Sequence, residues 1–170
     1  MTNNGLCYLI FCGTSPYPII NSLWASIDIK GIKPTNIVLL MSEKQSGLEK
    51  IKKCVETLIE NILENNCSIE SLIISEWDIK KNINQMTEFL KEPRDQKKSL
   101  VVDITSGRKT MSISGVLFVN NAIKKSNITK ENFAHIIYWH LIESDKYSSK
   151  WYPEIPRENF NFVDLMEVIE

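Results

Sequence analysis

The chain carries no surplus of charge. Lys plus Arg number 20 and Asp plus Glu 21, a net charge of −1 over 170 residues. A protein that coats long DNA or RNA needs a broad basic face, so no long nucleic acid is expected as a partner. A small nucleotide held by a few local cations remains compatible. No apolar run exceeds strand length, so no membrane-spanning segment is expected. The opening "MTNNG" has no basic stretch leading into a signal-type core. The four cysteines, Cys7, Cys12, Cys54 and Cys67, lack zinc-site pairing. With no export signal, a reducing cytoplasmic location is expected, with these thiols as small buried hydrophobes. No linker, repeat or low-complexity tract marks a second domain. One domain over 1–170 is expected, with a core over 1–142 and a C-terminal loop and edge element over 143–170.

What the chain does have is alternation. "LCYLIFCG" (Leu6 to Gly13), "NIVLLMS" (Asn36 to Ser42), "ESLIIS" (Glu70 to Ser75), "SLVVDIT" (Ser99 to Thr105) and "HIIYWHLI" (His135 to Ile142) are continuous apolar runs. Such runs suit strands covered on both faces. Between them apolar residues recur at helical spacing. Ile19, Ile20, Leu23, Trp24 and Ile27 share one side of a helix. Leu48, Ile51, Val55, Leu58 and Ile62 share another, and Ile79, Ile83, Met86 and Leu90 a third. The order reads as an α/β fold: a Rossmann-like, doubly wound, mainly parallel sheet with helices on both faces. After Ile142, "ESDKYSSKWYPEIPRENF" reads as a loop or short hairpin. "NFNFVDLMEVIE" reads equally as an edge strand or a last helix.

In such a sheet ligands bind beyond the carboxyl ends of strands, where the strand order reverses. For an order 3-2-1-4-5 that point lies between the first and fourth strands. The loops there are "GTSPYP" (Gly13 to Pro18) and "TSGRKT" (Thr105 to Thr110). In the first, Gly13 permits a sharp exit, Ser15 suits an N-cap, and Pro16 suits the first helical position. That is a well-capped helix start, or else Thr14, Ser15 and nearby amides face a phosphate. In the second, Gly107 allows close backbone approach, Arg108 can fork onto a phosphate, and Lys109 adds a point charge. Thr105, Ser106 and Thr110 add hydroxyls. A helix start disfavours cations, so the pair asks for a compensating anion. Neither GxxxxGK[ST] nor GxGxxG is present, and no dinucleotide or other cofactor is expected.

Other residues carry less. His135 and His140 lack partner spacing and read as structural; no metal is expected. Asp103 either caps the amides of its own loop or orients Lys109. Trp151 and Tyr152 either pack on the sheet edge or stack on a base, with Lys146 and Lys150 beside them.

"GTSPYPIINSLWA" and "DITSGRKTMS", set on the first and fourth strands, resemble the CARF (CRISPR-associated Rossmann fold) family. The first is similar to its "G-x-SP" opening. The second is similar to its "D-x-T-G-G-x-K-x-M" loop, with Ser106 where glycine is common. The resemblance implies a homodimer that binds a cyclic oligoadenylate across its axis, with Gly13, Thr14, Ser15, Thr105, Ser106, Gly107, Arg108, Lys109 and Thr110 facing the ligand. A stand-alone CARF domain resembles the ring nucleases. These cut cyclic tetra-adenylate to linear di-adenylate with 2',3'-cyclic phosphate ends and switch off type III CRISPR signalling. On that reading Ser15 and Lys109 are catalytic and no metal takes part. The alternative is a non-catalytic sensor or sequestering module acting with a separate effector. A third is an unrelated nucleotide-binding α/β protein. The apolar segment "MSISGVLFVNNAI" and the helix beginning near Pro18 are candidate dimer elements.

Overall fold

The computed structural model describes residues 5–44, 47–63, 67–90, 99–124 and 133–169. Strands β1 (Leu6–Phe11), β2 (Asn36–Ser42), β3 (Ser68–Ile74), β4 (Ser99–Asp103) and β5 (Phe133–Leu141) alternate with helices α1 (Pro16–Lys30), α2 (Leu48–Ile62), α3 (Ile79–Leu90) and α4 (Lys109–Lys124). There follow a short helix α5 (Ser144–Tyr147), two 3-10 turns (Tyr152–Glu154 and Arg157–Asn159), strand β6 (Phe160–Asp164) and helix α6 (Leu165–Ile169). The sheet order is β3-β2-β1-β4-β5-β6. The first five strands pair in parallel, and β6 joins β5 antiparallel, with Trp139 opposite Phe162. The expected reversal between the first and fourth strands is present.

Alternation along each strand assigns its two faces. Tyr8 and Ile10 of β1 join Ile37, Leu39 and Met41 of β2 under Ile19, Ile20 and Leu23 of α1 and Ile51, Val55 and Leu58 of α2. Cys7, Leu9 and Phe11 point the other way, with Val38 and Leu40, against Met86 of α3 and Met111, Phe118 and Val119 of α4. A third cluster joins Ala25 of α1 to Trp139, Tyr147, Ile155 and Phe160, so the C-terminal segment covers the outer side of α1. This explains why α1 is apolar around much of its circumference. Ile19, Ile20, Leu23 and Ala25 of α1 are buried, and Tyr17, Trp24, Ile27 and Ile29 are half-buried.

The C-terminal segment differs from the simple loop or hairpin read from the sequence. Within it, α5 and two 3-10 turns carry the chain back to β6, and "NFNFVDLMEVIE" supplies both a strand and a short helix. Among the described residues no helix is long and apolar enough to cross a membrane.

Candidate functional site

The loops after β1 and β4 meet at the carboxyl edge of the sheet. The Gly13 amide donates to Ser106 Oγ at 3.3 Å. A Cβ at Gly13 would lie 2.5 Å from the Ser106 carbonyl oxygen, so this close approach requires glycine. Gly107 is required for a different reason than ligand approach. A Cβ there would lie 2.7 Å from Phe11 Cβ, so the β4 loop packs directly on the end of β1.

Asp103 anchors the second loop from below. It is fully buried, and its Oδ1 accepts the Thr105 amide at 2.9 Å. Its Oδ2 accepts Ser22 Oγ at 2.6 Å and the Tyr8 hydroxyl at 3.2 Å. Burial raises its pKa above the ordinary carboxylate value, against the lowering by these donors. Of the two roles open to Asp103, this is the first: it caps its own loop. Thr105 Oγ1 lies 3.0 Å from Ser22 Oγ and accepts the Trp139 amide at 2.9 Å. The loop is thereby tied to α1 and β5. Thr105 and Ser106 thus use their hydroxyls as acceptors of backbone amides in building the site, and Ser106 keeps its O–H as a donor.

Ser15 stands at the N-cap position of α1, with Pro16 and Pro18 behind it. Its hydroxyl makes no capping hydrogen bond, and Pro18 at the third helical position has no amide to offer it. Ser15 lines a cavity of about 480 Å³ between the two loops, together with Gly13, Thr14, Thr105, Ser106, Gly107 and Arg108. Seven of the nine expected contact residues are therefore together. Lys109 and Thr110 belong to the first turn of α4 and do not line the cavity.

The cavity also holds residues not singled out from the sequence. Ser42 ends β2 and Lys44 follows it, Glu76 follows β3, and Cys12, Pro18 and Met111 complete the wall. Glu76 Oε1 accepts Ser42 Oγ at 2.7 Å, and Oε2 pairs with Arg108 Nη1 at 3.1 Å. Among the described residues, neither Lys44 nor Lys109 has an ion-pair partner. The Cys12 thiol is buried, and burial, with a smaller effect from Asp103, raises its pKa. It stays protonated and is no nucleophile. Topology could have signalled Ser42, Lys44 and Glu76: "SEK" and "SEW" lie at the carboxyl ends of β2 and β3, on the same edge of the sheet as the β1 loop.

The remaining candidates sit elsewhere. His135 Nδ1 is hydrogen-bonded to the buried Asp164 carboxylate, and Tyr138 pairs with His140 Nδ1 at 3.4 Å. No group of three His, Cys, Asp or Glu among the described residues is placed to hold a metal ion. Trp151 packs on Tyr17 in a tilted pair with ring centroids 4.3 Å apart. The Tyr152 hydroxyl donates to Asp28 at 2.8 Å; burial and then that carboxylate push its pKa up to about 12. Lys146 lies 3.7 Å from Glu143, and Lys150 lies 3.6 Å from Glu154. None of these four lines the cavity.

No protein-family model matches the chain, and no curated protein does. Solved structures do match. Can2 from Sulfobacillus thermosulfidooxidans, in complex with cyclic tetra-adenylate, superposes over 82% of this chain and 32% of its own, with TM-score 0.50 and 16% identity. A type III CRISPR defence DNA nuclease activated by cyclic oligoadenylate covers 84% of this chain and 20% of its own, with TM-score 0.53 and 12% identity. Csm6 from Enterococcus italicus, bound to cyclic hexa-2'-fluoro-hexa-dAMP, covers 79% and 33%, with TM-score 0.54 and 15% identity. The chain has a CARF-like fold. It spans between 20% and 33% of the length of these proteins. At such identities the likeness is one of fold, and the CARF-like sheet puts the cavity at its β1/β4 switch point.

Proposed function

We propose that the chain is a ring nuclease: it binds cyclic tetra-adenylate and cuts it to linear di-adenylate with 2',3'-cyclic phosphate ends, ending type III CRISPR signalling. The observation that carries this reading is the joined pair of loops at the switch point. They place the uncommitted Ser15 hydroxyl and the Arg108 guanidinium in one cavity. The solved structures of this fold include proteins bound to cyclic oligoadenylates, which supports the ligand class. The cavity is nucleotide-sized. A ring of four nucleotides then extends beyond one chain, and a two-fold homodimer supplies a second equivalent cavity.

The chemistry needs little beyond geometry. In each cut linkage the ribose 2'-oxygen attacks its own 3'-phosphorus. The new O–P bond forms as the bond to the 5'-oxygen breaks. The 2'-hydroxyl proton goes to solvent, and the leaving 5'-oxygen takes a proton from water. Ser15 orients the 2'-hydroxyl in line with the leaving oxygen. Arg108, joined by Lys109 from the first turn of α4, stabilises charge on the phosphoryl oxygens. Two cuts across the ring release two di-adenylates.

A second reading, a binding module without cleavage, has its own support. Lys109 does not line the cavity, and Glu76 already engages Arg108. Incubating the pure protein with cyclic tetra-adenylate and resolving products by chromatography separates the two. Linear di-adenylate is the expected product. Tight binding with the ring intact would replace the nuclease by the sensor.

A further inference from the structure

The sequence places two cations at the start of α4, where the positive helix end makes them unfavourable without an anion. For Arg108 that anion is already in the chain. Glu76 lies 3.1 Å from its Nη1 and is itself held by Ser42 Oγ at 2.7 Å. Glu76 follows β3 and Arg108 follows β4, with β2 and β1 between them in the sheet. Three strand spacings amount to about 14 Å. The two side chains therefore reach toward each other over the ends of two strands, and both line the cavity. The Glu76 side chain is 11% exposed, whereas that of Arg108 is 57% exposed. The carboxylate is the fixed partner and the guanidinium the movable one.

The loop that carries Glu76 is also fixed. Ser75 Oγ accepts the amides of Trp77 and Asp78 at 3.2 and 3.1 Å, and Asp78 Oδ1 accepts the Lys81 amide at 2.9 Å. The buried Asn82 accepts the Ser75 amide at 2.7 Å and donates to its carbonyl at 2.8 Å. Any anion that takes Arg108 must compete with this anchored carboxylate and then remain beside it.

We infer that Glu76 is a specificity-determining residue, which makes the site accept singly charged phosphodiesters and reject doubly charged phosphate monoesters. This rests on the phosphate-binding part of the reading above. A carboxylate and a phosphate compete for the same guanidinium fork. Once a phosphate is in place, repulsion from Glu76 grows with the phosphate's charge. An internal phosphodiester carries one negative charge, and a terminal monoester carries nearly two at neutral pH. A cyclic oligonucleotide presents diesters alone, so the carboxylate excludes mononucleotides that share its base and sugar.

The test uses two probes that differ in one charge: adenosine 5'-monophosphate and its methyl phosphodiester. Calorimetry measures each on wild type, Glu76→Gln and Arg108→Ala, with cyclic tetra-adenylate alongside. Wild type is expected to bind the methyl ester more tightly. Glu76→Gln should tighten the monophosphate about fivefold or more and the ester by less. Glu76→Asp, which keeps the charge, should keep the wild-type preference. Adding Arg108→Ala to Glu76→Gln should remove the gain. If the amide variant does not fold, Glu76→Ala takes its place. Equal gains for both probes, weaker binding of both, or no binding of either by any variant would overturn the inference. Failure of cyclic tetra-adenylate to bind, with the charge discrimination present, would instead overturn the ring-nuclease reading and leave this one standing.

Discussion

The Gly13 amide and the Ser106 hydroxyl join the β1 and β4 loops at 3.3 Å, and nothing larger than hydrogen fits on Gly13. Gly13→Ala sets its new carbon against the Ser106 carbonyl oxygen, which is backbone and cannot swing aside. The loops must part. We expect a stability loss of about 1–3 kcal/mol. We also expect a loss of cyclic tetra-adenylate affinity of about tenfold, because both halves of the cavity move. Urea unfolding and calorimetry measure the two. Unchanged values would mean that the loops do not depend on each other.

Asp103 gives a pH signature. Its pKa is raised from 3.8 by burial. Between that value and the raised folded value, the folded protein holds a proton that the unfolded chain has lost. The Asp103 contribution to stability is therefore fully present below 3.8 and is lost as pH rises through the folded value. Asp103→Asn cannot ionise and escapes this loss. The stability of the variant relative to wild type should rise as pH is raised above 3.8, by urea unfolding. A difference that stays constant with pH would show that Asp103 does not titrate abnormally.

These two residues were legible in different degrees. The strand and helix pattern, the order of the first five strands and the two unusual loops could be read because buried parallel strands are continuous apolar runs. The loops also stand out by composition. Lys109 could not be separated from Arg108, since the two are adjacent where the loop passes into α4 and only tertiary structure decides which faces the cavity. Ser42, Lys44 and Glu76 read as ordinary polar residues at strand ends until the folded sheet brings them to the cavity. Thr105 and Ser106 read as ligand contacts; both line the cavity, and their hydroxyl oxygens also accept the Trp139 and Gly13 amides, which sequence alone does not show. The C-terminal strand was ambiguous because β6 is short and partly exposed at the sheet edge.

The proposed dimer has a surface to test. Ile113 and Leu117 lie one turn apart on α4 and are 49% and 39% exposed. Apolar side chains at this spacing form a stripe on the outside of the helix. Replacing both by glutamate should leave the fold intact by circular dichroism and yield a monomer by light scattering at micromolar concentration. A dimer that survives both charges would move the interface elsewhere. A monomeric wild type, with cyclic tetra-adenylate present, would remove the dimer itself.

Cleavage tests the roles proposed for Ser15 and Lys109. The 2'-hydroxyl supplies the nucleophile, so the protein contributes geometry and positive charge. Alignment of this kind is worth on the order of 7 kcal/mol in favourable cases. Ser15 stands at the N-cap of α1 with its hydroxyl making no cap bond, and Lys109 opens α4 beside Arg108 with no ion-pair partner among the described residues. Approaching one phosphate from two sides, they would act at different moments. The serine matters most where the attacking oxygen must come into line, so Ser15→Ala should slow cutting more than it weakens binding. The lysine charge attracts the phosphate before and during reaction, so Lys109→Ala should reduce both, with binding weaker by about 1–3 kcal/mol. Single-turnover cleavage of cyclic tetra-adenylate in excess EDTA is the measurement. Full activity in EDTA is expected for wild type. Activity lost in EDTA and restored by magnesium would sink the 2'-hydroxyl mechanism as written. Equal binding by Lys109→Ala and wild type would take Lys109 out of the site and leave Arg108 and Lys44 as its cations.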